Sequence, residues 1–413
     1  MKTTLAPTLL LILATVLNSG CARSEAEEAG ATAFALLSFQ EIENPAAPGS
    51  GEPNLHATAA GDVFLSWIEP GIDTQHTLRF ARLEDQAWSA PQTIAEGDDW
   101  FVNWADFPSL VALDDGAMAA HFLARSGPDT YAYDVKITQS HDGGRTWNPA
   151  IRPHHDGTLT QHGFVSMLPW HQGRLLAVWL DGRNMGGEGH GSGGAMTLRT
   201  ATLDRDGVRY DEAALDERVC DCCPTAAART PHGAVVVYRD RSDEERRDIA
   251  IVRLNEEGWS APRAVHEDRW QIAGCPVNGP AVATADTDVA VAWFTAAQDT
   301  PRVKVAFSSD EGETFGPPTT VDDGRPVGRV DVVMLPDGGA LISWVEKAAD
   351  GAEIRVRRVH PDGTRAPSTT VAPTSPARAS GFPHLARRGP DIYVAWTDVG
   401  DPSTLRTAVA RLY

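Results

Sequence analysis

The sequence predicts an all-β protein, and two observations support that fold class. First, seven segments share one pattern, an apolar strand that ends at an aromatic residue, and successive aromatics lie 51 to 59 residues apart. Second, no stretch keeps the 3.6-residue apolar period of an amphipathic helix. Repeats of this length built from short strands are typical of β-propeller blades. The seven aromatics are Trp67, Phe122, Trp179, Tyr238, Trp293, Trp344 and Trp396.

Each repeat is interpreted as four strands, labelled A to D in chain order. A turn with Gly or Asp follows strand A, strand B ends at the aromatic residue, and strand C begins after a loop. Strand C is "TLRFARL" from Thr77 in the first repeat and "RVKVAFS" from Arg302 in the fifth. Apolar and polar residues alternate in these strands, which predicts one buried face for each.

The two ends of the chain predict how the ring closes. The seventh repeat stops at Tyr413 after its third strand, and residues 34–42, "FALLSFQEI", form a strand ahead of the first repeat. Pairing these strands completes the last blade and removes an exposed sheet edge. We therefore predict seven four-stranded blades closed by an N-terminal strand. Six blades are the alternative if one repeat is degenerate.

The first 33 residues are predicted to lie outside the propeller. Residues 1–20 combine a lysine, an apolar run too short to span a bilayer, and small residues, which is typical of a secretory signal peptide. Residues 21–33 are small and acidic and predict a flexible tether. The "SGC" ending resembles the lipobox of bacterial lipoproteins, which implies a lipid on Cys21 and an exported, membrane-anchored protein. The alternative is secretion with Cys21 unmodified, and residues 34–413 form one propeller domain in both cases.

The charge of the chain limits its partners. The formal net charge is -20 and the pI is about 5.0. A surface with this charge repels phosphate backbones, so nucleic acid is excluded as a partner class. The remaining classes are a glycan or other anionic small ligand, a protein of the cell envelope, and the membrane through a lipid anchor.

Two short segments predict the turn between strands C and D. "SHDGGRTW" (140–147) and "SSDEGETF" (308–315) share the pattern S-x-D-x-G-x-T-aromatic. The aspartate can accept backbone N–H bonds, the glycine allows positive φ, and the aromatic residue packs between sheets. Both segments resemble the Asp box, or BNR repeat, of sialidases and other propellers, which implies that fold. The predicted structural residues are Asp142, Gly144, Trp147, Asp310, Gly312 and Phe315.

Loops that precede strand A and loops that follow strand B lie at the same end of a propeller channel, which is its usual binding face. We call this end the loop face. Trp100, Trp104 and Trp270 lie in its loops and either stack on sugar rings or plug the channel mouth, and Asn278 is a further ligand-binding candidate. The loops before strand A are 97–107, 152–164, 216–223, 266–279, 322–329 and 374–382, and those after strand B include 180–194 and 238–248.

Three arginines of the loop face predict a site for an anion. Arg183 follows strand B of the third repeat, and Arg239 and Arg241 follow strand B of the fourth. Guanidinium groups bind carboxylates through paired hydrogen bonds, so this set could clamp an acidic ligand. The alternative is a solvated loop, "RDRSDEERRD", whose charges pair with one another.

Four of the five cysteines lie in loops of the loop face. Cys220, Cys222 and Cys223 precede strand A of the fourth repeat and Cys275 precedes strand A of the fifth, so the four thiols are expected to meet. Three interpretations remain open. A disulfide between the loops is the default in an oxidising compartment, a thiolate site could bind copper or zinc, and a reactive or redox-active pair is the third.

The turns and the repeat together resemble the sialidase-like superfamily over the whole propeller. That resemblance implies glycoside hydrolysis, with arginines on a carboxylate, a Tyr activated by Glu, and an Asp as acid and base. The acid–base candidates here are Asp181 and Asp240, and Arg183, Arg239 and Arg241 would be the clamp. The chain lacks the [F/Y]-R-I-P motif of the family, and a Tyr–Glu pair cannot be placed. A non-catalytic recognition or assembly module of the envelope, or a cysteine-based metal-binding propeller, is therefore the alternative.

Overall fold

The computed structural model describes residues 37–186 and 194–412, together with Met1. These residues form seven antiparallel sheets and no α-helix, which confirms the all-β class. Within the same part of the chain, no helix combines the length and the apolar character that crossing a membrane requires. Contacts divide the chain into residues 1–35 and one compact unit from 36 to 413. The predicted signal peptide, tether and lipidation of Cys21 fall outside the described residues.

The seven sheets are the blades of a closed ring. Strand A of each blade packs against strand A of the next, and strand A of blade 7 packs against strand A of blade 1. Residues of all seven blades line one central cavity of about 230 Å³. The count is therefore seven, and the alternative of six blades is wrong.

The strand bounds follow the predicted repeat. Strands A are Gly51–Ala57, Ser109–Ala112, His162–Pro169, Ala226–Thr230, Ala281–Ala285, Pro326–Met334 and His384–Arg388. Strands B are Val63–Pro70, Met118–Arg125, Leu175–Asp181, Gly233–Arg239, Asp288–Thr295, Ala340–Lys347 and Asp391–Asp398. Strands C are His76–Glu84, Tyr133–Ser140, Met196–Leu203, Ile249–Asn255, Arg302–Ser308, Ala352–Val359 and Thr404–Arg411.

The outer strands D vary most. In blade 2 the fourth strand is reduced to the single antiparallel pair of Ile137 and Ile151. Two-residue strands, Ala87–Trp88 and Gly258–Trp259, pair with strand C in blades 1 and 4. The other strands D are Gln92–Gly97, Arg209–Val219, Arg263–His266, Thr319–Thr320, Thr369–Thr374 and Gln40–Ile42, and short 3-10 turns span Asp114–Gly116, His171–Gly173, Ala297–Asp299 and Arg378–Ser380.

The ring is closed by the N-terminal strand, as the sequence predicts. Gln40–Ile42 pairs antiparallel with Thr404–Arg411 and supplies strand D of blade 7. Two side chains reinforce the pairing: Thr407 Oγ1 donates to the Ile42 carbonyl at 2.7 Å, and Asn44 Nδ2 donates to the Leu405 carbonyl at 2.9 Å. Of the predicted strand 34–42, residues 40–42 pair within the described part of the chain, and residues 34–36 lie outside it.

Apolar side chains form seven clusters, and each cluster joins two neighbouring blades. The aromatic residue that ends strand B lies in these clusters, and five tryptophans in that position are at most 2% exposed. Full burial of a side chain of this size contributes roughly 2–3 kcal/mol. The recurrent aromatic residue is therefore the packing unit that holds the blades together.

Most of these aromatics also donate a hydrogen bond to a carboxylate. Trp179 Nε1 donates to Asp181 at 2.8 Å, and Trp67 and Trp344 donate to the residue at the same +2 position. Satisfying a buried indole N–H avoids the cost of an unpaired donor. The tryptophan–carboxylate pair is thus part of the repeat. Trp67 binds Glu69 and Trp344 binds Glu346. Two further aromatics bind carboxylates elsewhere in the chain: Trp293 binds Asp268, and Tyr238 binds Asp216.

The two turns between strands C and D share one hydrogen-bond pattern. Asp142 accepts hydrogen bonds from Thr146 N and Thr146 Oγ1, and Ser140 Oγ accepts from Gly144 N. The turn of blade 5 repeats these bonds with Asp310, Thr314, Ser308 and Gly312. Gly144 and Gly312 have φ of 85° and 76°, a region that glycine adopts without strain. Trp147 and Phe315 pack against neighbouring clusters.

Candidate functional site

The structure brings the four cysteines of the loop face together. Cys220 Sγ lies 3.3 Å from Cys223 Sγ and 3.7 Å from Cys222 Sγ. The Cys222 side chain in turn hydrogen-bonds with Cys275 from the next loop. None of the four forms a disulfide, and the sulfur separations are well above the 2.05 Å of an S–S bond. The cluster therefore consists of three adjacent sulfurs that are buried or half-buried and a fourth, on Cys275, that is exposed.

Arg247 lies against this thiol cluster. Its guanidinium is buried, donates from Nη1 to Cys220 Sγ at 3.2 Å, and pairs through Nη2 with Glu245 at 2.7 Å. Burial alone would raise the pKa of Cys220, but hydrogen bonds from Cys222 and Cys223 and the charge of Arg247 lower it well below its usual value. The pKa of Cys222 is raised by its bonds with the neighbouring thiols, and burial raises that of Cys223. Cys220 is thus the thiol that ionises first.

Arg239 is buried beside the cluster and is 1% exposed. Its guanidinium donates to three backbone carbonyls, of Asn278, Arg247 and Phe294, at 2.6 to 3.0 Å. Its carbon also lies 4.9 Å above the Trp270 ring. Among the described residues, no carboxylate forms an ion pair with Arg239. The predicted clamp arginine therefore joins blades 4 and 5 from within and does not face solvent.

The other two predicted clamp arginines are bound by carboxylates. Arg183 donates from Nε and Nη2 to both oxygens of Asp181 at 2.7 Å and also contacts Glu212 at 2.9 Å. Arg241 donates to both oxygens of Glu245. The alternative of a self-paired loop describes Arg241, whose partner Glu245 lies in the same loop, whereas Arg183 pairs with carboxylates outside that loop. At both arginines an acidic ligand would have to compete with existing ion pairs.

The two predicted acid–base residues lie in different surroundings. Asp181 is fully buried; burial alone would raise its pKa, but hydrogen bonds from Arg183 and Trp179 and the charge of His162 lower it. Asp240 is half-buried, belongs to no ion pair of the described residues, and accepts only the Arg241 backbone N–H at 2.7 Å. Burial, with the charges of Asp216 and Asp248, raises the pKa of Asp240 to about 6. Asp240 can therefore give a proton near neutral pH, and Asp181 cannot.

Asp216 lies near Asp240 and accepts the Tyr238 hydroxyl at 2.6 Å and the Arg218 backbone N–H at 3.0 Å. Tyr238 itself is 1% exposed, and burial and Asp216 raise its pKa further above its usual value. The hydroxyl is thus held as a donor and is not open to attack a ligand. Two half-buried carboxyl groups, Asp216 and Asp240, therefore lie together at this junction of blades 3 and 4.

The tryptophans of the loop face contribute more to packing than to an open surface. Trp100 is buried and stacks on Phe122 with ring centroids 4.6 Å apart, and Trp270 is buried against Phe294. Trp104 is half-buried and lies 5.9 Å from the Phe382 ring. Asn278 is also buried: its side-chain oxygen accepts from Arg329 N at 2.7 Å. Of this predicted set only Trp104 presents ring surface to solvent.

A histidine–aspartate cluster of blade 3 was missed by sequence reasoning. His154 and His162 stack in parallel with centroids 3.8 Å apart, and each ring has a nitrogen 3.7 Å from Asp134 Oδ1. Burial and the charge of His162 lower the pKa of His154 to about 4; for His162, burial opposes a charge, but Asp156 and Asp181 raise the pKa. The signal was the run "HHD" with a further histidine in one loop, 152–164.

Four groups of three side chains could hold a metal ion, and in each the ligand atoms lie within 4.8 Å of one another. The first is Cys220, Cys222 and Cys223, and the second is Asp134, His154 and His162. The other two share a residue with these: Asp221, Cys222 and Cys275, and Asp156, His162 and Asp181. The first offers soft sulfur ligands, and the second offers nitrogen and oxygen.

The face opposite the loop face also contains an open space. A cavity of about 940 Å³ lies between the turns of blades 1 and 2 and the mouth of the channel. Polar groups of Thr58, Asp62 and Arg82 contribute to its wall, with Leu113 and Gly143. The turns leave this space because Gly116 and Gly143 bring no side chain into it.

Comparison with known proteins adds evidence on the fold. No protein-family model matches the sequence, and no curated protein matches it. Among solved structures, the chain is similar to a protein of unknown function from Dyadobacter fermentans (16% identity, TM-score 0.53, 92% of this chain and 99% of that chain). It is also similar to the polysaccharide lyase Uly1 (9%, 0.53, 88% and 90%) and to the NanB sialidase of Streptococcus pneumoniae (8%, 0.45, 92% and 98%). At these identities the likeness concerns the architecture of the chain.

Proposed function

We propose that this propeller binds a carbohydrate on the loop face, where blades 3 and 4 meet, and hydrolyses a glycosidic bond with Asp240 as the proton donor. The observation that carries this proposal is the surroundings of Asp240: a half-buried carboxyl group whose pKa is raised to about 6 and which forms no ion pair with any of the residues that the structure describes. The catalytic acid of a glycosidase must be protonated near the pH at which the enzyme works, and burial of its carboxyl group is the usual way in which its pKa is raised to that range. A polysaccharide lyase with the same architecture supports the ligand class.

The second carboxyl group gives the site its base or nucleophile. Glycosidases use two carboxyl groups, one protonated and one ionised, on either side of the bond that breaks. Asp216 accepts hydrogen bonds from the Tyr238 hydroxyl and from the Arg218 backbone N–H, which hold its carboxyl group in place near Asp240. In this mechanism Asp240 protonates the leaving oxygen, and the Asp216 carboxylate activates water or attacks the sugar carbon.

The arginines decide which glycosides are expected to react. Exo-sialidase chemistry would need arginines open to the sialic acid carboxylate, and Arg183, Arg239 and Arg241 all have internal partners. We therefore expect neutral glycosides to be preferred over sialosides. A panel of fluorogenic neutral glycosides and one fluorogenic sialoside, assayed from pH 4 to 8, measures this preference directly.

Asp240→Asn tests the role of the proton donor. We expect a loss of hydrolysis of at least about 100-fold, because general acid catalysis contributes at least this much. In the wild-type protein kcat/KM should fall above pH 6, as Asp240 loses its proton. Asp243→Asn is the matched control, since Asp243 lies in the same loop with a side chain that is 81% exposed.

Two results would count against the proposal. Equal activity of Asp240→Asn and Asp243→Asn would remove Asp240 from the chemistry. Binding of oligosaccharides without hydrolysis by the wild-type protein would instead support a recognition module, and absence of any carbohydrate binding would overturn the ligand class.

A further inference from the structure

We propose that Cys220, Cys222 and Cys223 bind one copper(I) ion, and that Cys275 is the thiol through which the ion enters and leaves. This inference is independent of carbohydrate binding, because it rests on other side chains. Each thiol that binds the ion releases its proton to solvent, and neither copper nor sulfur changes oxidation state.

The sulfur positions fit a metal centre better than a disulfide. The three sulfurs lie within 4.8 Å of one another, with measured separations of 3.3 and 3.7 Å from Cys220. Bonds of about 2.3 Å to a shared ion would place neighbouring sulfurs about 3.8–4.0 Å apart. The shorter separation would have to open by about 0.5–0.7 Å and the longer by about 0.1–0.3 Å, whereas a disulfide needs a shift of more than 1 Å.

The number and type of ligands favour copper(I). Structural zinc almost always takes four ligands, whereas among the described residues three sulfurs form this group, with no histidine in it. Soft thiolate sets select copper(I) among the metals of the cell. Cys275 belongs to a separate group with Asp221 and Cys222, so it adjoins the centre without completing it.

The surrounding charges fit an anionic centre. Three thiolates and one copper(I) ion carry a net charge of -2. Arg247 donates to Cys220 Sγ at 3.2 Å. The buried Arg239 is bonded to the same loop, because its backbone carbonyl accepts the Cys220 backbone N–H at 3.0 Å. A buried guanidinium bonded only to carbonyls is costly unless an anion lies nearby. The charge of Arg239 acts on Cys223 as well as on the Asp248 carboxylate, so Arg247 is the cation in direct contact with the cluster and Arg239 adds positive charge at its edge.

The position of Cys275 gives the ion a route to solvent. Cys275 is exposed, Cys222 is half-buried, and Cys220 and Cys223 are buried, so the sulfurs descend from the surface to the interior. Contact between the side chains of Cys275 and Cys222 links the outer sulfur to the centre. A copper(I) ion delivered by a soluble thiol or chelator would meet Cys275 first.

The test uses reduced full-length protein under anaerobic conditions, titrated with copper(I) buffered by the chelator bathocuproine disulfonate. We expect one ion per chain, and X-ray absorption should show sulfur as the only near neighbour of copper. Cys222→Ser should weaken binding at least about 100-fold. Cys275→Ser should keep the stoichiometry and affinity but slow the transfer of copper to the chelator.

Several outcomes would overturn the proposal. They are absence of chelator-resistant copper binding by the reduced wild-type protein, tighter binding of zinc in direct competition, or an equal loss of affinity in Cys275→Ser. The half-buried Cys222 is chosen because its serine variant should fold, and unchanged thermal melting would show that the loss of copper is local. If the cysteines of the purified protein are held in disulfides, so that they resist thiol labelling both before and after mild reduction, the disulfide interpretation replaces the copper site.

Discussion

Blades 3 and 4 place an aspartate at the same position of the repeat, two residues after the aromatic that ends strand B. In blade 3, Trp179 donates to that residue, Asp181, and Arg183 completes an ion pair. In blade 4, Tyr238 instead reaches back to Asp216, and Asp240 is left without either partner. The pKa of Asp181 is consequently lowered and that of Asp240 is raised to about 6.

This difference shows how a repeat can produce a reactive group by losing one contact. Where the aromatic is tryptophan, its indole N–H often binds a carboxylate as part of the packing between blades. Where tyrosine replaces it in blade 4, the hydroxyl donates to a carboxylate on another strand, Asp216, and the aspartate two residues further on, Asp240, receives no such bond. The carboxyl group keeps its partial burial but loses the interactions that stabilised its charge.

The largest expected effect is the loss of stability when Asp181 is substituted. Asp181→Asn leaves Arg183 with a weaker partner in a buried site, and we expect a loss of about 3–5 kcal/mol in the free energy of unfolding. Asp240→Asn, at the same repeat position, should change stability by less than about 0.5 kcal/mol near pH 3, where the Asp240 carboxyl group is protonated in both the folded and the unfolded state. Urea denaturation of both variants measures the contrast, and equal destabilisation would show that the two blades do not differ as described.

Removing the aromatic donors should give a smaller contrast. Trp179→Phe leaves a cavity and removes the indole hydrogen bond to Asp181 Oδ2, which keeps only its bond from Arg183 Nη2, so we expect a loss of about 2–3 kcal/mol. Tyr238→Phe removes only a hydroxyl from Asp216, which water can reach, and should cost less than about 1 kcal/mol. Thermal melting of the two single variants measures the difference, and a larger loss for Tyr238→Phe would contradict it.

The smallest effect is a change in the pH dependence of stability. Because the folded pKa of Asp240 lies above the unfolded value of 3.8, the folded state binds the extra proton, and stability falls as pH rises from about 4 to about 6. We expect this group to contribute about 1–2 kcal/mol of that fall, allowing for solvent screening. Asp240→Asn should lack this contribution, so the difference between wild type and variant should change over that pH range and be constant above it.

The fold could be predicted almost completely from the sequence, because its determinants are local. The aromatic repeat, the alternation of the strands and the strand ahead of the first repeat each follow from neighbouring residues. The loop face followed from topology alone, and so did the meeting of Cys275 with the three cysteines of the preceding blade.

The partners of the charged residues could not be predicted in the same way. Arg183 contacts Glu212 from another strand, and Arg239 binds carbonyls of three separate segments, so only the folded chain defines these contacts. One signal was available: "WIE", "WLD" and "WVE" repeat the W-x-[DE] pattern at 67–69, 179–181 and 344–346. That pattern indicates a structural role for Asp181, and its absence after Tyr238 distinguishes Asp240.

The strand that completes blade 7 has a consequence for how the protein is made. Ile42 and Thr407 are 365 residues apart in sequence, so the strand Gln40–Ile42 is made long before its partner Thr404–Arg411 and stays unpaired until that strand exists. In a disordered chain, closing a loop of this length costs about 5 kcal/mol of entropy, but six assembled blades hold the ends close and remove most of that cost. Residues 404–411 must therefore be made before the ring can close, and a chain truncated before them would keep an unpaired β-edge open to aggregation.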